Sequence, residues 1–291
     1  MNINRFALGT AQFGSPYGVA NQLGQVGIDQ VAEILRVATS VGVDTLDTAI
    51  AYGESEQVLG QVDVSSFKIV SKLPALSDES PDLQNQVIES VEGSLNRLKI
   101  TQLYGLLLHR PGQLLSHRGK ILYESLQELK DRGLVKKIGV SIYNPTELEA
   151  LCRCFEFDLI QSPFNIFDCR LGRQGWLIRL KKRGVEIHVR SIFLQGLLLM
   201  NSTNRPKYFE SWDFLFEKLE AWREAKKLTP LEGCLGTPFL NQNIDRVVAG
   251  VDSLAQFQQI IAALTDNLLP APNYLCCDDT RLINPSQWNL K

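Results

Sequence analysis

The stretch LDTAIAYGESE, residues 46–56, joins a short apolar run to a carboxylate, a phenol and a glycine, and then to an acidic helix start. The pattern over residues 44–49 predicts a short buried strand, with Asp47 near its C-terminal end and Tyr52 in the turn that follows. In a parallel βα barrel, the segment just past a strand's C-terminal end faces the mouth, where such barrels keep their active sites. We therefore expect chemistry at this stretch if the rest of the chain forms a barrel.

Length and composition favour one large domain. The chain has 291 residues, of which 44% are hydrophobic, so it can bury a large core. This length exceeds the size at which one core normally suffices unless the fold is a barrel, so one barrel domain is preferred to two small ones.

The formal net charge of -2 gives no electrostatic reason to expect nucleic acid or a membrane as partner. Since there is neither a signal-peptide pattern nor a membrane-length apolar run, we expect a soluble, cytoplasmic protein.

Strand and helix patterns alternate along the chain. Strands are predicted at 6–11, 44–49, 67–72, 103–109, 137–142, 159–162, 186–193 and 246–251. Helices are predicted at 29–40, 55–60, 83–98, 120–132, 145–155, 176–183, 208–227, 231–240 and 254–264. This order predicts an α/β protein, a single-domain (β/α)8 TIM barrel over residues 1–291, with the barrel at about 5–265. The irregular C-terminal tail, about 266–291, is expected to form a loop over one barrel end.

The cysteines and the remaining histidines predict no metal site. No cysteine pair has zinc-ligand spacing, and His117 and His188 have no carboxylate or cysteine at ligand spacing. Because the cytosol keeps thiols free, all six cysteines are expected to be reduced. They are Cys152, Cys154, Cys169, Cys234, Cys276 and Cys277.

Four polar residues fall at or just beyond the ends of adjacent predicted strands: Asp47, Tyr52, Lys72 and His109. Each alone has an ordinary explanation as a solvated or hydrogen-bonded loop residue. Together they suggest chemistry, because a lysine ammonium favours the phenolate form of a nearby tyrosine, whose pKa is otherwise about 10. A carboxylate can hold that ammonium, and an imidazole can position a carbonyl oxygen. The set therefore suits carbonyl reduction, provided that another group brings the hydride.

At these residues the chain resembles the aldo-keto reductase superfamily, over roughly residues 5–265. The matching motifs are Asp47-Thr48-Ala49 with Tyr52-Gly53, Ser71-Lys72, and Leu107-Leu108-His109-Arg110. The segments 133–141, 160–161 and 196–198 agree in the expected order. The resemblance implies a barrel that holds NADP or NAD in an extended form without a Rossmann fold. It also implies that Tyr52 is the proton donor, that Lys72 and Asp47 support it, and that His109 positions the carbonyl.

The resemblance further implies a set of cofactor contacts. Ser141 and Gln161 correspond to residues that hold the nicotinamide carboxamide, while Ile142 replaces the usual asparagine. Arg190 stands where many members have an aromatic ring that stacks on the nicotinamide; a planar guanidinium can stack too, and the alternative is a structural ion pair at the rim. The complete predicted set is Gly9, Thr10, Asp47, Ser141, Gln161, Arg190, Ser191, Leu194, Gly196, Gly250, Asp252, Gln256 and Gln259. The loop at 9–15 is expected near the cofactor and substrate, with Phe13 and Tyr17 as an apolar wall.

The segment after strand eight bears on the choice of cofactor. In NADPH-specific members, basic side chains there contact the 2′-phosphate, but this chain has Ala249 and Ala255 at those places and Asp252 between them. The missing basic partner and the added negative charge weaken a preference for the phosphate. NADH is therefore expected to be accepted at least as readily as in a typical member, although Gln256 and Gln259 can still bind a ribose or phosphate oxygen.

The sequence thus predicts an NAD(P)H-dependent oxidoreductase that reduces an aldehyde or ketone, or oxidises an alcohol. Two alternatives stay open. The barrel can be a non-catalytic dinucleotide sensor or scaffold, since one fold serves unrelated purposes. Lys72 can instead form a Schiff base, as in an aldolase-like barrel.

Overall fold

The computed structural model describes residues 3–77 and 82–290. Its strands are β1 (Phe6–Gly9), β2 (Thr45–Asp47), β3 (Lys68–Leu73), β4 (Leu103–Leu108), β5 (Val135–Ser141), β6 (Leu159–Pro163), β7 (Glu186–Arg190) and β8 (Arg246–Gly250). Each strand pairs in parallel with its neighbour in the chain, and β8 pairs with β1 to close the barrel. This confirms the predicted (β/α)8 TIM barrel.

Helices surround the barrel. They are α1 (Ala11–Gly14), α2 (Ile28–Ser40), α3 (Ser55–Leu59), α4 (Leu83–Leu98), α5 (Gly119–Asp131), α6 (Glu147–Cys154), α7 (Arg170–Arg173), α8 (Trp176–Lys182), α9 (Asp213–Lys226), α10 (Pro230–Leu240), α11 (Leu254–Ala263) and α12 (Thr280–Ile283). In α4, the residues Val87, Val91 and Leu95 recur on one face and are buried against the core. Across the described ranges, no helix has the length and apolar character needed to cross a membrane.

Several predicted boundaries differ from the observed ones. The strand predicted to reach residue 193 ends at Arg190, because the backbone then takes positive φ angles of 60° at Ser191 and 49° at Leu194. The helix predicted from 145 begins at Glu147, and the Asn144 side chain accepts a hydrogen bond from the Thr146 backbone in the turn before it. The long helix predicted from 208 is divided between a 3-10 helix, Lys207–Trp212, and α9.

Alternate residues of each strand point into the barrel. The register of the parallel strands determines the level along the barrel axis at which each of these side chains lies. Val70, Leu107 and Leu159 form a small apolar cluster inside the barrel, separate from the main core between strands and helices. A polar network lies nearer the strands' N-terminal ends, where the Glu186 carboxylate accepts a hydrogen bond from the Tyr104 hydroxyl at 2.7 Å. The barrel interior is therefore filled with side chains at these two levels.

The tail is held by a covalent bond, which corrects one prediction. Cys169, in the loop after β6, forms a disulfide with Cys276 of the tail, and their Cα atoms are 5.7 Å apart. The expectation of six reduced thiols was therefore wrong for this pair; the other four cysteines are free. Next to the disulfide, the Cys277 backbone donates to the Phe167 carbonyl at 2.8 Å, so the tail contacts a loop at the barrel's C-terminal end.

Candidate active site

Asp47 and Lys72 form a buried ion pair at the C-terminal end of the barrel. The β2–β3 register pairs Asp47 with Val70, so Lys72 projects from the same face two residues further on. Its Nζ atom donates to Asp47 Oδ1 at 2.5 Å and to the carbonyl oxygen of Thr48 at 2.9 Å. The Lys72 side chain is fully buried, and that of Asp47 is 4% exposed. The two acceptors fix the ammonium in one position.

Lys72 remains charged despite its burial. Burial lowers the pKa of Lys72, but the Asp47 carboxylate and then Tyr52 act against it, and the pKa is raised overall. The side chain is therefore an ammonium at neutral pH, and an ammonium is not a nucleophile. The geometry gives no support to the Schiff-base alternative.

Tyr52 lies in the loop after β2, directly beside this ammonium. Lys72 Nζ is 4.9 Å from the centroid of the Tyr52 ring. A hydrogen bond from the Tyr52 backbone to the Ala49 carbonyl at 3.0 Å closes the loop. Helix α1 supports the loop, because the Glu54 backbone of the loop donates to the carbonyl of Gly14 in α1 at 3.2 Å. Backbone contacts therefore hold the phenol at the mouth.

His109 completes the predicted tetrad. It follows β4, where its backbone donates to the Leu73 carbonyl at 2.9 Å. Its ring meets the Tyr52 ring edge to face, with centroids 6.0 Å apart. Burial, followed by the positive charges of Lys72 and Arg190, lowers the pKa of His109 to about 4. The imidazole is therefore neutral at physiological pH, with one nitrogen donating and the other accepting.

Ser141 and Gln161 lie on the neighbouring strand ends. Gln161 Nε2 donates to Asp47 Oδ2 at 2.6 Å, so the carboxylate is held by Lys72 on one oxygen and by Gln161 on the other. Ser141 Oγ donates to Gln161 Oε1 at 3.3 Å. The two residues predicted to hold the carboxamide are thus joined to the tetrad by a chain of hydrogen bonds.

A cavity of about 630 Å³ opens at this end of the barrel. It extends from Tyr52 and His109 to Gln256 and Gln259 on α11. The predicted site residues that line it are Gly9, Thr10, Asp47, Tyr52, His109, Arg190, Ser191, Gly196, Gly250, Asp252, Gln256 and Gln259. Four predicted residues are fully buried and lie outside the lining: Lys72, Ser141, Gln161 and Leu194. The structure therefore brings three of the four tetrad residues and most of the predicted cofactor-binding residues around one cavity, with Lys72 buried next to it.

Sequence reasoning missed part of the lining. Tyr143 and Asn21 line the cavity without belonging to a recognised motif, whereas Gln12 belongs to the loop at 9–15 that was expected there. Tyr143 had a signal that was available, because it comes two residues after the end of β5 and so belongs to the barrel mouth. Of the expected apolar wall, Tyr17 lines the cavity, whereas Phe13 is fully buried in the core.

Arg190 ends β7 and stacks on an aromatic ring of the protein itself. Its Cζ atom is 4.6 Å from the centroid of the Tyr143 ring, and the guanidinium donates to the Ile142 carbonyl at 3.0 Å and to Ser191 Oγ at 3.2 Å. No carboxylate within residues 3–77 and 82–290 forms an ion pair with it. The alternative of a structural ion pair at the rim is therefore not what the structure shows.

The far end of the cavity carries a carboxylate. Asp252 accepts hydrogen bonds from Asn21 Nδ2 at 3.2 Å and from Gln256 Nε2 at 3.3 Å, and burial raises its pKa. Among the described lining residues, Arg190 is the sole arginine or lysine, and it lies at the tetrad end. The cavity thus offers hydrogen-bonding groups at its tetrad end and at its Asp252 end, as an extended dinucleotide requires, and the Asp252 end offers amides and a carboxylate rather than a cation.

Comparisons with known proteins agree with this architecture. The model of the aldo/keto reductase family matches residues 5–274. The chain is 29% identical to aldo-keto reductase YhdN of Bacillus subtilis, over 47% of this chain and 44% of that protein. It is 24% identical to the NADH-specific methylglyoxal reductase of Escherichia coli, over 93% of each chain. The solved structure of aldo-keto reductase AKR11C1 from Bacillus halodurans has the same fold, with a TM-score of 0.74 at 17% identity, over 93% of this chain and 89% of that one.

Proposed function

The chain belongs to the aldo/keto reductase family and is an NAD(P)H-dependent oxidoreductase, and we propose that Tyr52 donates the proton when it reduces an aldehyde or ketone. The observation that carries this assignment is the position of the Lys72 ammonium, 4.9 Å from the Tyr52 ring centroid and fixed there by Asp47. Asp47, Tyr52 and His109 line a cavity that is large enough for small molecules, and Lys72 is buried directly behind them. This arrangement favours catalysis over the alternative of a non-catalytic dinucleotide sensor or scaffold.

Each side chain has a separate task in this proposal. A nicotinamide held at this end of the cavity would supply the hydride. The Tyr52 hydroxyl transfers its proton to the carbonyl oxygen, and the Lys72 ammonium stabilises the phenolate that remains. Asp47 keeps Lys72 in place, and neutral His109 donates a hydrogen bond that positions the carbonyl oxygen as negative charge develops on it. In the opposite direction, the same phenolate accepts the proton of an alcohol.

The Tyr52→Phe variant tests the assignment. It removes an interaction realised in the transition state, so kcat is expected to fall by two orders of magnitude or more, about 2.7 kcal/mol, while dinucleotide Kd changes little. Tyr123→Phe is the matched control, because it removes a hydroxyl that donates to the Glu156 carbonyl away from the cavity. Near-normal turnover of Tyr52→Phe contradicts the role of Tyr52. Tight dinucleotide binding by the wild type, with no turnover across a broad carbonyl panel, favours the sensor alternative.

We also infer that NADH is accepted at least as readily as in a typical family member. Asp252 disfavours the additional 2′-phosphate of NADPH, and no basic side chain of the described residues lines that end of the cavity. One full-length relative is named as NADH-specific. Calorimetric Kd values for NADH and NADPH at fixed salt test this. A preference for NADPH above a hundredfold, about 2.7 kcal/mol, overturns it.

A further inference from the structure

Two guanidinium groups approach Tyr143, which lines the cavity. Arg190 reaches it from the end of β7, with its Cζ atom 4.6 Å from the ring centroid. Arg110 follows β4 directly after His109, and its Cζ atom is 5.9 Å from the same centroid. Tyr143 shares the cavity wall with Tyr52 and His109. Tyr143 and Arg190 therefore border the space next to the predicted reacting atoms, while Arg110 lies against Tyr143 outside the lining, and we call these three residues the arginine rim.

The arginine rim has unused hydrogen-bonding capacity. A guanidinium carries five N–H donors. Arg190 uses some of them on the Ile142 carbonyl and Ser191 Oγ, and within the described ranges no carboxylate pairs with Arg190 or with Arg110. Arg110 is exposed at the mouth, so its donors face solvent and are accessible to a ligand. Planar guanidinium groups of this kind bind carboxylates and phosphates through parallel hydrogen bonds.

The surrounding carboxylates do not neutralise the arginine rim. Asp47 is occupied by Lys72 and Gln161, and Asp168 by Arg170. Glu147 accepts hydrogen bonds from the backbone N–H groups of Tyr143 and Asn144 rather than from an arginine. The low pKa of His109, about 4, agrees with an excess of positive charge here, since after burial its causes include Lys72, Arg190 and Arg110.

We propose that the substrate is a carbonyl compound that carries an anionic group, a carboxylate or a phosphate, which the arginine rim binds while Tyr52 and His109 hold the carbonyl. This inference rests on the proposed carbonyl reduction and adds the substrate class to it. Arg190 also stands where the nicotinamide is expected, so Arg110 is the member of the rim that is free to select the substrate. The exposed position of Arg110 predicts an attraction that salt weakens.

Matched pairs of substrates test the proposal. The carboxylate pair is 4-oxobutanoate against butanal, and the phosphate pair is glyceraldehyde 3-phosphate against glyceraldehyde, each assayed by oxidation of the dinucleotide that binds more tightly. In the wild type, kcat/KM for at least one anionic member is expected to exceed that of its neutral partner by tenfold or more. The pair that shows the preference identifies the anionic group. Sodium chloride should reduce the preference.

Variants separate recognition of charge from support of the fold. Arg110→Gln should reduce the preference for the anionic substrate at least fivefold, whereas Arg110→Lys should keep most of this preference. Arg153→Gln is the control and should leave the preference unchanged, because Arg153 is exposed on the opposite end of the barrel, outside this cavity. Neutral partners that match or exceed the anionic members in both pairs overturn the proposal. The proposal is also overturned if Arg110→Gln lowers kcat/KM equally for the anionic and the neutral member of a pair. Absence of turnover with all four compounds contradicts carbonyl reduction itself.

Discussion

Gly14 lies so close to Tyr52 that a Cβ atom on Gly14 would come within 1.8 Å of the Tyr52 carbonyl oxygen. No real Cβ contact is this short, so the loop that carries the phenol can occupy its position only because residue 14 has no side chain. The contact links the first βα segment of the chain to the second. It also makes the position of Tyr52 depend on a residue that takes no part in the chemistry.

Gly14→Ala is therefore expected to displace the Tyr52 loop and to impair both folding and catalysis. We expect the free energy of unfolding to fall by about 1–3 kcal/mol, the usual cost of overpacking, and kcat to fall at least tenfold. Urea unfolding and steady-state kinetics measure the two effects. Gly112→Ala is the control, because a Cβ at Gly112 meets nothing within 4 Å. Wild-type kinetics in Gly14→Ala would contradict the proposed support of Tyr52.

The buried pair of Lys72 and Asp47 predicts a second stability effect. Lys72→Met leaves the Asp47 carboxylate buried without its counterion, which typically costs about 3–5 kcal/mol. Adding Asp47→Asn removes the stranded charge, so the double variant should be more stable than Lys72→Met alone. Lys120→Met is the control, because Lys120 is exposed and lies 3.7 Å from Glu124; its effect should stay within about 0.5 kcal/mol. Strictly additive effects of the two buried substitutions would contradict a coupled pair.

The lowered pKa of His109 predicts how stability depends on pH. The folded protein takes up this proton only near pH 4, whereas an unfolded histidine does so near pH 6.5. Between these values the unfolded chain binds more protons, so stability falls as the pH decreases from about 6.5 to 4, and the histidine has no effect on it above about pH 7. Unfolding free energies measured at pH 4.5 and 7.5 should differ more in the wild type than in His109→Gln. An equal difference in both proteins would show that His109 titrates normally.

The fold, and the closeness of the four residues proposed as the tetrad, could be predicted because both follow from local patterns and strand order. The apolar spacing of α4 gave its bounds, Leu83–Leu98, directly. The four residues lie at or just beyond the C-terminal ends of the adjacent strands β2, β3 and β4. Parallel strands bring these ends to one rim, so the proximity of the four residues followed from the strand order.

Other features depend on tertiary structure and left no pattern in the sequence. The end of β7 is set by positive φ angles at Ser191 and Leu194, which are unusual for residues other than glycine. The stacking of Arg190 on Tyr143 joins residues from strands that are not neighbours. The disulfide joins Cys169 and Cys276 across 107 residues, and pairings of cysteines cannot be deduced from their spacing.

The disulfide between Cys169 and Cys276 is expected to stabilise the protein by linking the tail to the loop after β6. Because it closes a long loop, Cys276→Ser should lower the free energy of unfolding by about 2–4 kcal/mol. A reducing agent should lower the Tm of the wild type to a similar extent, and it should leave the Tm of Cys276→Ser unchanged. Cys154→Ser is the matched control, since Cys154 is a free, exposed thiol. Two results together would show that the tail is not held by a covalent bond. The first is a wild-type Tm that does not change with reductant. The second is that a thiol reagent labels all six cysteines in the unfolded protein without prior reduction.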